Sequence, residues 1–295
     1  MPQFDRQINL RLRLLEPRPS PNIDYIGQLE ITDLRIAFSI LKTTSLSTNT
    51  CDVRIWNLSK ANRNRISEYG FECKVFAGYR QEAGTQLLFT GNATQVSHFV
   101  EQPEVISQFQ VGDGERTVNN TIIAVSFAPG TTVRTVINNI AERLGLDIVT
   151  TAELNLIQDK PYIQGFSSGD LAIDVLRKAC DNLGVEPSVQ NNALSIVAIN
   201  QTTLAPPAEI NVDNGMVGVP QLYTDKREFL WRDPNAPPVG WKVRTLLRPD
   251  ILPNQSIRVR SVLADIDGLF KVITVRHDGD NFGSLWTSTF ELVQI

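Results

Sequence analysis

Few residues in this sequence are of the types that carry out chemistry, and their spacing does not favour it. The 295 residues include only two histidines, His98 and His277, and three cysteines, Cys51, Cys73 and Cys180. A His-rich metal site is therefore impossible, and no C-x₂-C spacing exists to put two thiolates on one zinc ion. A Ser-His-Asp triad on an α/β-hydrolase scaffold needs a G-x-S-x-G elbow, which is absent. Both histidines lie in alternating stretches, Gln95-Val96-Ser97-His98-Phe99 and Thr274-Val275-Arg276-His277. Each reads as a strand histidine whose ring is exposed or hydrogen-bonded rather than catalytic. The cysteines, odd in number and dispersed, read as free thiols of a reducing compartment.

Three acidic-glycine clusters could suggest calcium: Gly112-Asp113-Gly114-Glu115, Asp265-Ile266-Asp267-Gly268 and Asp278-Gly279-Asp280-Asn281. None has the ligand spacing of a calcium loop. Asp and Gly are also the residues of tight turns, so all three clusters read as turns. Nothing among the acidic residues nominates the carboxylate pair of a glycosidase. The four tryptophans could form a sugar-stacking platform. The favoured assignment puts Trp56 and Trp286 in a β core and makes Trp231 and Trp241 anchors of proline-rich loops.

The elements that must position these residues are mostly short strands. Asp33 to Ile40 alternates, with Leu34, Ile36, Phe38 and Ile40 on one face, and Cys51 to Leu58 does the same with Val53 and Ile55. Ser59 is placed to cap a short helix through about Glu68, stopped by Gly70. Strands follow at Lys74 to Tyr79, Gln86 to Ala93 and Val105 to Val111. From Thr121 the pattern changes. A strand to Phe127 leads to a helix capped by Thr131 or Thr132, with Val133, Val136, Ile137, Ile140 and Leu144 on one side and Gly145 as its stop. Leu146 to Thr150 reads as a strand. A second helix, capped by Ser168, carries Leu171, Val175, Leu176, Ala179 and Leu183, stops at Gly184, and is followed by a hairpin turning at Asn191-Asn192. After Pro206-Pro207 strands return, at Ile257 to Val262, Phe270 to His277 and Trp286 to Leu292, with Asp278-Gly279 as a turn. The chain thus divides into a β-rich part at 1–118, an α/β module at 119–204 and a second β-rich part at 205–295.

Composition excludes several classes. The net charge is −4, from 28 Lys and Arg against 32 Asp and Glu, so the basic excess of a dedicated nucleic-acid binder is missing. No window approaches the ~18 apolar residues of a membrane-spanning helix. The N-terminal stretch lacks the apolar core of a secretory signal.

Three stretches together resemble one family. The first is Phe38-Ser39-Ile40-Leu41-Lys42-Thr43 with Asn49-Thr50-Cys51-Asp52-Val53-Arg54-Ile55-Trp56-Asn57-Leu58-Ser59. The second is Val75-Phe76-Ala77-Gly78-Tyr79 with Leu88-Phe89-Thr90-Gly91. The third is Gly215-Met216-Val217-Gly218-Val219-Pro220-Gln221 with Gly268 through Asp280. In this order they are similar to the baseplate hub proteins of contractile-tailed phages and related injection machines. The resemblance implies an α+β, predominantly β fold: two tail-tube-type β-barrels, with strands that can be exchanged between them, and the inserted module. It implies a structural homotrimer, a ring that joins the hexameric tail tube to the trimeric central spike and lets DNA pass during ejection. The implied partners are the tail tube protein, the spike, and tape-measure and wedge proteins. The implied place is the virion tail baseplate, assembled in the host cytoplasm. No catalytic residue, cofactor or metal is expected, and neither membrane insertion nor specific nucleic-acid binding. The chain is short for a hub, and no fused peptidoglycan-hydrolase segment is visible. A carbohydrate-binding adhesin, a hydrolase component of the tail and a plain scaffold stay open as alternatives.

Overall fold

The structure, a computed structural model, describes residues 5–15, 25–46, 49–80, 84–113, 121–199, 201–223 and 240–295. The first β-rich part runs β1 (Arg6–Leu15), β2 (Tyr25–Ile31), β3 (Ile36–Thr43), β4 (Thr50–Trp56), α1 (Lys60–Glu68), β5 (Gly70–Tyr79), β6 (Gly84–Glu101) and β7 (Glu104–Gly112). Alternation does what period-two patterning dictates: Ile36, Phe38, Ile40, Val53 and Ile55 are all buried. Ser59 caps α1 by accepting from Asn62 N at 3.3 Å. Gly70 does not stop this helix in a left-handed turn. Tyr69 is already extended and Gly70 opens β5, because helix and strand are joined with no residue to spare for such a turn.

The last part runs β12 (Ala208–Ile210), a 3₁₀ turn (Val212–Asn214), β13 (Gln221–Tyr223), β14 (Gly240–Leu246), β15 (Ser256–Ser261), β16 (Ile266–Asp280) and β17 (Trp286–Gln294). One 13-stranded sheet contains all the strands named so far, in the order β13-β14-β17-β16-β3-β4-β7-β6-β5-β1-β2, with β15 pairing with β16 off this path and β12 pairing with β15. It holds two copies of one topology. β3-β4-β7-β6-β5 and β13-β14-β17-β16-β15 have the same chain order, the same neighbours and the same antiparallel pairings. The long strand of each unit, β6 or β16, changes partner midway. Each carries a bulge against its hairpin mate at that point, beside Thr94 in one and Ile273 in the other. Residue equivalences follow from the register. Val53 faces Phe109, which faces Val96; Val243 faces Phe290, which faces Val275. The two units are joined side to side within the chain by β3 pairing with β16, Thr43 to Ala37 against Thr274 to Asp280.

Asp278-Gly279 is therefore not a turn. Both residues lie within β16, near its end, paired on one side with Ser39 and Phe38 and on the other with Thr287 and Trp286. Gly279 is there because a Cβ would come within 2.4 Å of the Phe38 ring. In the neighbouring cluster only Asp265, with φ 51°, is a turn residue, while Ile266, Asp267 and Gly268 open β16.

Between the two units lies the module: β8 (Ile122–Phe127), α2 (Val133–Leu144), α3 (Thr151–Leu156), β9 (Phe166–Leu171), α4 (Ala172–Asp181), β10 (Val185–Gln190) and β11 (Ala193–Ala198). Thr132 caps α2, and Gly145 ends it at φ 64°. The buried faces of α2 and α4 match position by position: Val136 with Val175, Ile137 with Leu176, Ile140 with Ala179, Ala141 with Cys180. The hairpin turns at Asn191 and Asn192, both at positive φ, as a two-residue type I′ connection requires. Two expectations fail here. Leu146 to Thr150 makes a single bridge, Ile148 to Leu194, because Thr150 Oγ1 satisfies the β11 donor Ile196 N at 2.6 Å in place of a strand carbonyl. Ser168 lies inside β9 and donates to Asp170. The backbone N–H of Ala172, which opens α4, instead donates to the carbonyl of Thr121, and Leu171 is exposed rather than core.

Three apolar cores result, one per part, with informative exceptions. Leu46 packs into the module core, and Leu247 and Trp286 pack into the first β core. The module also meets the sheet through a buried polar seam. Lys42 Nζ donates to Asn191 Oδ1 (2.8 Å), the Asp113 carboxylate accepts from Asn191 N and Asn192 N (2.6 and 2.7 Å), and Asn49 Nδ2 donates to the Val189 carbonyl (2.7 Å). A second buried lysine, Lys271, donates to the Ile199 carbonyl at 2.9 Å. Fully buried lysines are rare, so beside the apolar contact of Leu46 the hairpin is tied to the sheet by specific bonds.

Candidate functional site

The largest unified feature is the outer face of the eight strands β13-β14-β17-β16-β3-β4-β7 and the distal half of β6. Since side chains alternate, the face opposite the two β cores displays residues such as Ser39, Thr50, Gln108, Gln110 and Thr289. Its charges nearly balance: Arg54, Lys242, Arg244 and Arg276 against Asp52, Glu101, Glu104, Asp278 and Glu291. Several are paired on the spot, Lys242 with Glu291 at 3.7 Å and Arg276 with Asp278 at 3.2 Å. Leu41 is an apolar exception. Two hollows open on this face, one of about 430 Å³ beside Lys242, Arg244 and Thr289, the other of about 370 Å³ beside Asp52, Thr94 and Gln110. Both are lined mainly by hydroxyl, amide and charged groups.

The sequence-nominated residues fall as follows. His277 is fully buried, with Nδ1 2.8 Å from Ser288 Oγ, which also accepts from Arg248 N at 2.9 Å. Burial drives its pKa down to about 3, with the nearby Lys42 charge adding to the shift. His98 is exposed, with Nδ1 3.0 Å from Ser107 Oγ and Nε2 2.9 Å from Ser67 Oγ. Ser67 donates to the Arg63 carbonyl, so it accepts from Nε2–H and is not set up as a nucleophile. The two histidines are equivalent positions of the two units, and so are their serines. The pairing register places His98 opposite Ser107 and His277 opposite Ser288. The sequence carries a short signal for this: Val96-x-His98 then Ser107-x-Phe109, and Val275-x-His277 then Ser288-x-Phe290.

The remaining candidates are dispersed. Cys51, Cys73 and Cys180 are buried and unpaired, with thiols pushed up by burial. Among the described residues no three His, Cys, Asp or Glu converge as metal ligands. Asp113 lies in the turn that follows β7, as its type suggests, and its carboxylate is also the hairpin's buried acceptor. Burial raises its pKa against the opposing pull of the Asn192 N–H and Lys42. Gly114 and Glu115 lie outside the described residues, as does Trp231. Trp286 is core, 1% exposed. Trp56 is not. It is half-buried beneath the Arg35 guanidinium, 4.2 Å from the ring centroid, because it ends β4 on the side away from the core. Trp241 sits on β14, partly buried against the second β core, rather than on a loop.

The fold is similar to that of phage and prophage tail proteins and of a type VI secretion system component. It is similar to the tail protein from Neisseria meningitidis MC58 (TM-score 0.67, 10% identity, covering 98% of this chain and 96% of that one). It is also similar to the 43 kDa tail protein of prophage MuSo2 from Shewanella oneidensis (0.66, 10%, 97% and 96%). A third likeness is to the E. coli c3393 protein, described as a component of the type VI secretion system (0.62, 10%, 96% and 76%). No curated protein matches the sequence. The family described as Baseplate hub gp41 matches residues 22–275, and the chain belongs to that family.

Proposed function

We propose that this chain is the structural hub subunit of a contractile tail: a homotrimeric ring between the hexameric tail tube and the trimeric central spike, through which DNA passes during ejection. The observation that carries this is the duplicated topology. Two like units per chain, already joined edge to edge by β3 and β16, let three chains present six similar units to a sixfold tube. The polar, charge-balanced sheet face suits the wall of the passage. A strongly basic wall would hold DNA by its phosphates.

The reading is of a non-enzymatic protein without cofactor or metal, assembled in the host cytoplasm and contacting the tube, the spike, and tape-measure and wedge proteins. The division into 1–118, 119–204 and 205–295 belongs to the same proposal, with the module projecting outward or downward from the ring. Cryo-electron microscopy of the assembled tail tip tests it. Three chains supplying six units around one axis are expected; six whole chains at that level would overturn it.

A further inference from the structure

The two buried lysines differ in what they face. Lys271 Nζ donates to the carbonyl of Ile199, a backbone amide. Lys42 Nζ donates to Asn191 Oδ1 at 2.8 Å, the only hydrogen bond of that nitrogen among the described residues. Its acceptor is a primary carboxamide, whose carbonyl carbon is electrophilic and whose nitrogen can depart as ammonia. Both partners are held. Lys42 is 0% exposed, stands opposite Val275 across the β3–β16 ladder, and has its nitrogen 5.9 Å from the centroid of the Phe89 ring. Asn191 is fixed from the other side. Its φ is 55° in the two-residue turn, and its N–H and that of Asn192 donate to the Asp113 carboxylate at 2.6 and 2.7 Å. An amine and an amide so placed have little freedom left to lose on reacting. Burial also favours the uncharged, nucleophilic form of a lysine, and takes Lys42 down to about 8 against the pull of Asp113. Asn191 is only partly buried, so ammonia has a way out.

We propose that Lys42 and Asn191 join in an intramolecular isopeptide bond, formed once by the folded chain itself. The unprotonated Nζ attacks Asn191 Cγ and a C–N bond forms. The bond from Cγ to Nδ2 breaks with its electron pair going to nitrogen, and the proton lost by Nζ leaves on Nδ2 as ammonia. Asp113, a buried carboxylate whose hold on a proton is strengthened by burial, carries that proton between the two nitrogens. The hydrogen-bonded pair is the state before this step. The product ties the module's hairpin covalently to β3, so the module stays on the sheet even when the apolar cores come apart. Lys271, facing a backbone carbonyl, stays free.

The test is mass spectrometry of the purified full chain, incubated at mildly alkaline pH and then fully denatured. The intact mass is expected to fall short of the sequence mass by one ammonia. Trypsin should leave the Lys42 position uncut and release a branched peptide joining the Lys42 and Asn191 segments. Lys42→Arg should have its full sequence mass. Asp113→Asn, isolated as folded protein by gel filtration, should carry about tenfold less branched peptide, and Asp113→Glu should restore it. The full sequence mass for the wild-type chain, with ordinary cleavage after Lys42, overturns the bond. So does a deficit of one ammonia without the branched peptide, since an asparagine that cyclises onto its own backbone loses the same mass. A wild-type yield from Asp113→Asn overturns the assignment of the proton carrier.

Discussion

Lys42 Nζ lies 2.8 Å from Asn191 Oδ1, so a fully buried lysine on β3 holds the tip of a hairpin 149 positions further along the chain. Burial lowers its pKa to about 8, with Asp113 opposing the shift. The seam therefore depends on its carboxylate.

Asp113→Ala removes the acceptor of two backbone N–H groups and leaves the Lys42 charge without its counter-ion. A loss of about 3–5 kcal/mol is expected in urea denaturation at pH 7. Proteolysis should appear near 114–120, where the module joins the first β-rich part. Stability within 1 kcal/mol of wild type, about the noise of such a comparison, would contradict the role given to the seam.

His277 folds in its neutral form, with a pKa of about 3 against an ordinary 6.5. Between those values the unfolded chain binds a proton that the folded chain refuses. The stability this group allows is complete above pH 6.5. It falls by up to about 1.4 kcal/mol per pH unit as pH drops towards 3. His277→Gln should flatten that slope, measured by denaturant titrations at pH 7, 5 and 4. Parallel slopes for wild type and variant would argue against it.

The two half-sheet tryptophans should behave differently. Trp286→Ala empties a site packed edge-on against Phe38 (6.2 Å) and Tyr79 (6.1 Å) and should cost about 3–5 kcal/mol. Trp56→Ala mainly loses its stacking with Arg35 and should cost about 1 kcal/mol. Similar melting shifts for both would refute the distinction.

Gly279→Ala puts a methyl group into the Phe38 ring at the junction of the units. An overpacking cost of about 1–3 kcal/mol is expected by chemical denaturation. A neutral outcome would mean that β3 and β16 are less closely packed than described.

What the sequence determined by itself was local. The Ser59 cap, the apolar faces of α2 and α4, the left-handed Gly145 and the Asn191-Asn192 turn depend on neighbours within a few residues, whose types carry the signal. The alternation of Ile36, Phe38 and Ile40 showed which face is inward, and the scarcity of histidine showed what chemistry to doubt. The family resemblance came from short strand motifs of the same kind. The tertiary structure alone decided which strands pair. Asp278-Gly279 has the composition of a turn, yet it is a strand because β3, some 240 residues earlier in sequence, supplies its partners and Phe38 fills the space that a side chain would need. Trp286 belongs by sequence to one unit and packs into the other for the same reason. Strand pairing is set by long-range register and closure of a common core, which period-two patterns do not encode. The family resemblance implied two like units and the V-x-H and S-x-F spacings are written twice in the sequence, but it is the ladder register that makes His98 and His277 equivalent positions.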